Sequence, residues 1–187
     1  MEQYYEIEVA GLKRKLAMFP VGEDTKIAAF ILFGDVELTV ACATELLKLA
    51  PEYDILLTAE AKSIPLIYEM ARQSGQNTYV VARKAPKLYM EHVQQVSVKS
   101  ITTANEQTLC FGDDERALLK DKRVLIVDDV ISTGESLNAL EELVHAVGGK
   151  VVGKMAVLAE GDAMDRGDIQ VLAPLPLFHA DGTIKES

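Results

Sequence analysis

Apolar and polar positions alternate over residues 4–9 and again over 12–19, on either side of Gly11. A period of two is what a strand with one covered face requires, so this stretch predicts a short antiparallel pair. Residues 26–33, Lys-Ile-Ala-Ala-Phe-Ile-Leu-Phe, predict a third strand before the turn at Gly34-Asp35. From residue 36 the pattern changes to helix at about 36–50, strand 54–58, helix 63–74, strand 78–82, strand or loop 93–110, strand 123–128, helix 135–147 and strand 150–158. Val124-Leu125-Ile126-Val127 is apolar without period, as a strand covered on both faces must be, and Gly148-Gly149 stops the helix that follows it. The alternation predicts an α/β fold with a mostly parallel sheet, helices on both faces, and ligands at the carboxyl ends of the strands.

Length and composition fit this picture. The chain of 187 residues shows no repeat, linker or low-complexity segment, which predicts a single domain spanning 1–187. Its net charge of −10 opposes binding to a phosphate backbone, and no stretch is rich enough in Lys and Arg to offset it, so nucleic acid is not an expected partner. No apolar run approaches the ~20 residues that cross a bilayer. The opening Met1-Glu2-Gln3-Tyr4-Tyr5-Glu6 lacks the basic-then-apolar order of a signal peptide, so no membrane association is expected and the location is read as cytoplasmic. Cys42 and Cys110 lie in apolar surroundings without metal-ligand or disulfide spacing, and are expected to be buried reduced thiols. A net acidic chain can still bind a small polyanion where backbone N–H groups and a few cations converge, which directs attention to the glycine-bearing turns.

The strongest such turn follows the buried strand: Val124-Leu125-Ile126-Val127-Asp128-Asp129-Val130-Ile131-Ser132-Thr133-Gly134-Glu135-Ser136. Two adjacent carboxylates arrive at the sheet edge, and a turn bearing hydroxyls and a glycine then opens a helix. Backbone N–H groups and hydroxyls from Ser132 to Ser136 can surround a phosphate monoester at the helix N-terminus. Asp128 and Asp129, one sugar length away, suit ribose hydroxyls and a hydrated magnesium ion. A plain reading competes, in which the acids end a strand and the turn caps a helix. The turn has neither the Gly-Lys-Ser/Thr of a nucleoside-triphosphate loop nor the three spaced glycines of a dinucleotide fold. A response-regulator receiver opens with a similar Asp-Asp strand, but too little chain follows this one.

Segment 124–136 resembles the signature for phosphoribosyl pyrophosphate (PRPP) of the type I phosphoribosyltransferases, an apolar strand, Asp-Asp, then Thr-Gly-x-Ser. The resemblance implies that Asp128 and Asp129 face the ribose hydroxyls and that Val130, Ile131, Ser132, Thr133, Gly134, Glu135 and Ser136 form the 5′-phosphate segment. Arg83-Lys84-Ala85-Pro86-Lys87-Leu88 is similar to the Arg-Lys-x-x-Lys-Leu stretch of adenine phosphoribosyltransferases and their xanthine-specific relatives. A forked guanidinium and ammonium groups suit a pyrophosphate, which makes Arg83 and Lys87 candidates, against the alternative of a solvated basic loop. Glu60-Ala61-Lys62-Ser63 stands where the family places its pyrophosphate loop, with Lys62 for the family's Arg and Ala61 and Ser63 in place of Ser and Gly.

The resemblance covers roughly residues 36–160 and implies a core there, with a hood over the base from about 1–35 and 161–187. It implies a homodimer in which Arg83 reaches the partner's pyrophosphate, a magnesium requirement, and a cis peptide between Glu60 and Ala61. The function implied is transfer of ribose 5-phosphate from PRPP to a purine base, adenine first, with release of pyrophosphate. A catalytically silent PRPP or nucleotide sensor of the same fold is the alternative. Residues 91–108 take the place of the family's mobile loop but offer only Glu91 and Glu106, so no general acid or base is assigned. Phe19 and Phe178 are weighed as base-stacking or core residues; His145 and His179 are read as surface groups, and His92 has no evident partner.

Overall fold

The computed structural model describes residues 3–98 and 107–185. Residues 99–106 of the expected mobile loop, Glu106 among them, therefore lie outside the described residues. The N-terminal strands β1 (Tyr4–Val9) and β2 (Leu12–Pro20) pair antiparallel as the alternation predicts, and β3 (Thr25–Ala28) adds to β2. The third strand is shorter than 26–33. Phe30 and Leu32 are buried while Ile31 and Phe33 face outward, so the alternation continues, but beyond Ala28 no strand pairs with it among the described residues.

The βα alternation follows: α1 (Val36–Leu49), β4 (Ile55–Ala59), α2 (Ile64–Gln73) and β5 (Val80–Ala82). An antiparallel hairpin of β6 (Gln94–Val98) and β7 (Gln107–Phe111) leads to the short α3 (Asp113–Leu119). Then come β8 (Arg123–Ile131), α4 (Glu135–Ala146), β9 (Lys150–Glu160), a 3₁₀ turn (Gly161–Asp165), β10 (Gln170–Leu175) and β11 (Phe178–His179).

Five strands form one parallel sheet in the order β10-β9-β8-β4-β5. Successive residues of β8 go to opposite faces. Leu125 and Val127 join Leu46 of α1 and Leu66, Ile67 and Met70 of α2, while Val124 and Ile126 join Leu137, Leu140, Leu143 and Val144 of α4. The unbroken apolar run of β8 thus reflects two cores, one on each side of the sheet. Arg14 of β2 ties the N-terminal strands to α1, pairing at 2.6 Å with Asp35, whose carboxylate also accepts the Leu38 N–H at the start of that helix.

The cap is the four-stranded sheet β1-β2-β3-β11, which draws on chain from both ends. Within the stretch assigned to the hood, however, β10 pairs along β9 and extends the parallel sheet past residue 160 to Leu175. Pro174, which cannot donate to a ladder, is tolerated because β10 is an edge strand. Phe178 is buried and packs on Tyr5 with ring centroids 5.1 Å apart, a core residue rather than a stacking platform; Phe19 remains exposed on the cap.

Candidate active site

Strand order decides where a ligand can enter. From β4 the chain crosses through α2 to β5 at one edge, and from β8 it crosses through α4 to β9 on the other side. β4 and β8 are neighbours, so their connections part and leave a crevice at their carboxyl ends, the switch point where open α/β sheets bind ligands. A cleft of about 220 Å³ lies there, bounded by Glu60, Ala61, Lys62 and Ser63 after β4 and by Asp128, Asp129 and Val130 of β8. A smaller hollow of about 70 Å³, sharing Asp128, Val130 and Ser136 with it, is walled by Ser132, Thr133, Gly134 and Leu137.

Gly134 opens α4 with φ of 78°, the left-handed conformation that glycine adopts without a Cβ penalty. Ser132, Thr133 and Ser136 surround it, and the Thr133 hydroxyl accepts the Glu135 N–H at 3.4 Å. Val130 reaches the cleft. Ile131 points into the core beside Leu137, so only its backbone is available to a ligand.

The acid pair is the most organised part. The Ser63 hydroxyl donates to Asp128 Oδ1 at 2.5 Å and accepts the Asp129 N–H at 2.8 Å, and that N–H also donates to Asp128 Oδ1 at 2.8 Å. Lys62 Nζ stands 3.0 Å from Asp129 Oδ2, pairing an exposed ammonium with a buried carboxylate. Burial, followed by the adjacent Asp129 charge, holds the Asp128 carboxyl well above the usual carboxylate range, against the pull of the Ser63 hydrogen bond. Glu160, at the end of β9, is likewise raised by burial; nothing in its sequence setting singled it out.

On the far side of the cleft, Glu60 accepts the Lys84 N–H at 3.0 Å and pairs with Arg83 at 3.2 Å. The Lys84 N–H first, then Arg83, lowers its pKa. The peptide between Glu60 and Ala61 is cis, matching the expectation. Arg83 also donates to the Tyr89 hydroxyl at 3.0 Å. Lys84 rather than Lys87 borders the cleft, although Lys87 is close enough to act on the Glu60 charge.

Arg166 was missed by sequence reasoning. Its guanidinium is fixed by Asp168 through bonds of 2.9 and 2.8 Å, and it lies against Gly134 where a Cβ would sit. A single Arg some forty residues beyond the acid pair carries no signal that it folds back onto the turn. His92, without an evident partner in the sequence, meets Asp113 at 2.7 Å outside the cleft. His145 and His179 are exposed, as read. Cys42 and Cys110 are buried free thiols; burial pushes Cys42 up to about 12 and also raises Cys110.

Comparison with known proteins agrees with this architecture. Residues 43–171 match the family model described as phosphoribosyl transferase domain. The chain belongs to the phosphoribosyltransferase family. An adenine phosphoribosyltransferase of Thermotoga sp. is 35% identical over 114 residues, which cover 58% of this chain and 60% of that relative's length. The aligned stretch thus spans about three fifths of that relative. A hypoxanthine/guanine phosphoribosyltransferase of Methanococcus voltae is 31% identical over 140 residues, 72% of this chain and 71% of the relative. Among solved structures, the Trypanosoma brucei adenine phosphoribosyl transferase, crystallised with AMP, pyrophosphate and ribose 5-phosphate, superposes with a TM-score of 0.66 at 19% identity, covering 91% of this chain and 76% of that one. The Thermoanaerobacter pseudethanolicus adenine phosphoribosyltransferase gives 0.64 at 20% identity, over 91% of this chain and 95% of that one. Likeness at such identity speaks for the fold, and the parallel sheet flanked by helices is the one read from the sequence. Among the described residues no helix is long and apolar enough to cross a membrane.

Proposed function

We propose that this protein is a purine phosphoribosyltransferase that transfers ribose 5-phosphate from PRPP to adenine and releases pyrophosphate. The observation that carries the reading is that three segments far apart in sequence, Glu60–Ser63, Lys84 and Asp128–Ser136, line one cleft and the hollow that adjoins it. Adenine is placed first because most of the matching relatives bear the adenine name; the hypoxanthine/guanine relatives and the Arg-Lys-x-x-Lys-Leu stretch, shared with xanthine-specific enzymes, leave another purine as the competitor.

In this reading the turn Ser132–Ser136 takes the 5′-phosphate on its N–H groups and hydroxyls, aided by the α4 N-terminus. Asp128 and Asp129 accept the ribose hydroxyls. The Glu60–Ser63 loop, with Lys62, Lys84 and Lys87, takes the pyrophosphate. Held at both ends, the sugar presents its anomeric carbon to the base; the C–O bond to pyrophosphate breaks as the purine nitrogen forms the new C–N bond, with inversion, and the nitrogen's proton passes to water or to the departing pyrophosphate. Positioning supplies much of the acceleration in such a displacement.

The acid pair also fits a magnesium ion. Two carboxylates are hard oxygen donors, and magnesium keeps much of its water while binding one or two carboxylates and substrate phosphates. Asp128 would hold it, directly or through water, with Asp129 behind it already carrying Lys62. When bound, the ion supplies charge neutralisation of the leaving pyrophosphate. We further read the working unit as a homodimer in which Arg83 approaches the partner's pyrophosphate, and the location as cytoplasmic, in accord with two buried free thiols.

The test is incubation with PRPP, magnesium and, in turn, adenine, hypoxanthine, guanine and xanthine, followed by detection of nucleotide and pyrophosphate. AMP formation with adenine at the highest kcat/KM supports the reading. Tight PRPP binding without turnover on any base replaces it with the PRPP sensor, and preference for another purine moves the specificity.

A further inference from the structure

We propose that Ser63 is a positioning residue for the acid pair, a side-chain clamp through which the β4–α2 loop orients Asp128 and Asp129 for PRPP. This goes beyond, and rests on, the assignment of the cleft to PRPP; there Ser63 was expected only to face pyrophosphate.

Ser63 stands at the N-cap of α2, where a serine hydroxyl ordinarily accepts an N–H of the first helical turn. Here it makes no such bond. Its backbone is itself helical, with φ −85° and ψ −3°, and the hydroxyl turns away to β8. Ile64 is followed by Pro65, whose missing N–H leaves the helix start with one donor fewer to satisfy. The residue is 1% exposed, so water does not compete for its hydroxyl.

A hydroxyl has one proton and can both give and take. Ser63 Oγ gives its proton to Asp128 Oδ1 at 2.5 Å and takes the Asp129 N–H at 2.8 Å; Asp129 Oδ1 lies 3.2 Å away as a further acceptor. One atom therefore touches the carboxylate of one acid and the backbone of the next, across 66 residues of sequence. Without that hydroxyl, Asp128 Oδ1 keeps, among the described residues, the Asp129 N–H, and the Asp128 carboxylate loses its link to the loop that carries Lys62. The Asp129 N–H stays satisfied by Asp128 Oδ1, so removing the hydroxyl leaves no orphaned donor and the variant retains its fold.

The test uses Ser63→Ala and Ser63→Gly in the full chain, with Ser63→Thr to restore the hydroxyl. PRPP affinity is measured by calorimetry with magnesium present, and kcat and KM are measured for PRPP and for the base. Loss of orientation at a bound sugar is expected to lower kcat/KM for PRPP by about 10- to 100-fold and to weaken PRPP binding about 10-fold, with KM for the base within about twofold of wild type. The Thr variant recovers most of the loss if it keeps the wild-type melting temperature; if it does not, Ala and Gly decide alone. Ala and Gly variants that retain wild-type PRPP affinity and kcat/KM overturn the proposal. A uniform loss tracking a fallen melting temperature overturns it too, since it assigns Ser63 a merely structural role. Calorimetry separates this from the parent reading: wild-type protein that binds PRPP but converts no base sinks the enzyme assignment, while the Ser63 comparison still reads out on affinity.

Discussion

Replacing Asp128 by Asn should make the ligand-free protein more stable, and the gain should grow with pH. In the folded chain Asp128 is partly buried beside Asp129, and its carboxyl is held above the ordinary range by burial first and by the Asp129 charge second. A carboxyl raised on folding binds its proton more tightly in the native state than in the unfolded one. Stability therefore falls as pH rises from the unfolded value, about 3.9, to the folded one, and the penalty is complete above it. Asparagine does not ionise, and its Oδ1 can still accept from the Ser63 hydroxyl and the Asp129 N–H. Every tenfold gain in proton affinity on folding costs the ionised protein about 1.4 kcal/mol; discounting for the exposed part of the side chain, about 2 kcal/mol is recovered at pH 8, or about 4 to 8 °C in melting temperature for a chain of this size. Thermal unfolding of wild type and Asp128→Asn, without PRPP or metal, from pH 4 to 8 measures this. The curves should converge near pH 4 and separate toward pH 8. A difference independent of pH, or one that widens toward acid, refutes the reasoning that the fold holds a costly charge here.

Three further outcomes follow from the same geometry. Lys62→Met removes the ammonium 3.0 Å from Asp129 and should weaken PRPP binding about tenfold, with a shallower salt dependence than wild type; calorimetry at low and high salt checks both. Gly134→Ala places a Cβ at φ 78° where the Arg166 guanidinium lies, and should lower stability by about 1 to 2 kcal/mol while raising KM for PRPP more than KM for the base, read by denaturant unfolding and steady-state kinetics. Gly153→Ala puts a methyl 2.9 Å from both Leu125 Cδ1 and Pro51 Cγ, and should cost about 1 to 3 kcal/mol in urea unfolding with substrate KM values unchanged, because it lies away from the cleft.

What the sequence revealed and what it withheld divide along the range of the interactions involved. Helices α1, α2 and α4 and the central strands carry their signals locally, as period, stop glycines and unbroken apolar runs, and each falls within a few residues of its expected place. α3 escaped because seven residues rich in charge show no apolar face; Gly112 and Glu115 close its first turn through a 2.8 Å bond instead. β10 escaped because Pro174 argues against a strand, and only its position at the sheet edge removes the objection. The same division runs through the site. Asp128-Asp129 and the glycine turn were legible because strand, acids and helix start are contiguous, so the chemistry is written in one stretch. Lys62 and Arg83 could be named but not paired, since the ion pairs that hold them to Asp129 and Glu60 depend on which strands become neighbours. Ser63 and Arg166 mark the limit. One looks like an ordinary helix cap and the other like an ordinary surface cation, and each takes its role only once β4 lies beside β8 or the chain after β9 folds back over α4. Local pattern thus located the acids and the phosphate turn, whereas the residues that hold them in place follow from the parallel sheet that brings distant loops to one edge.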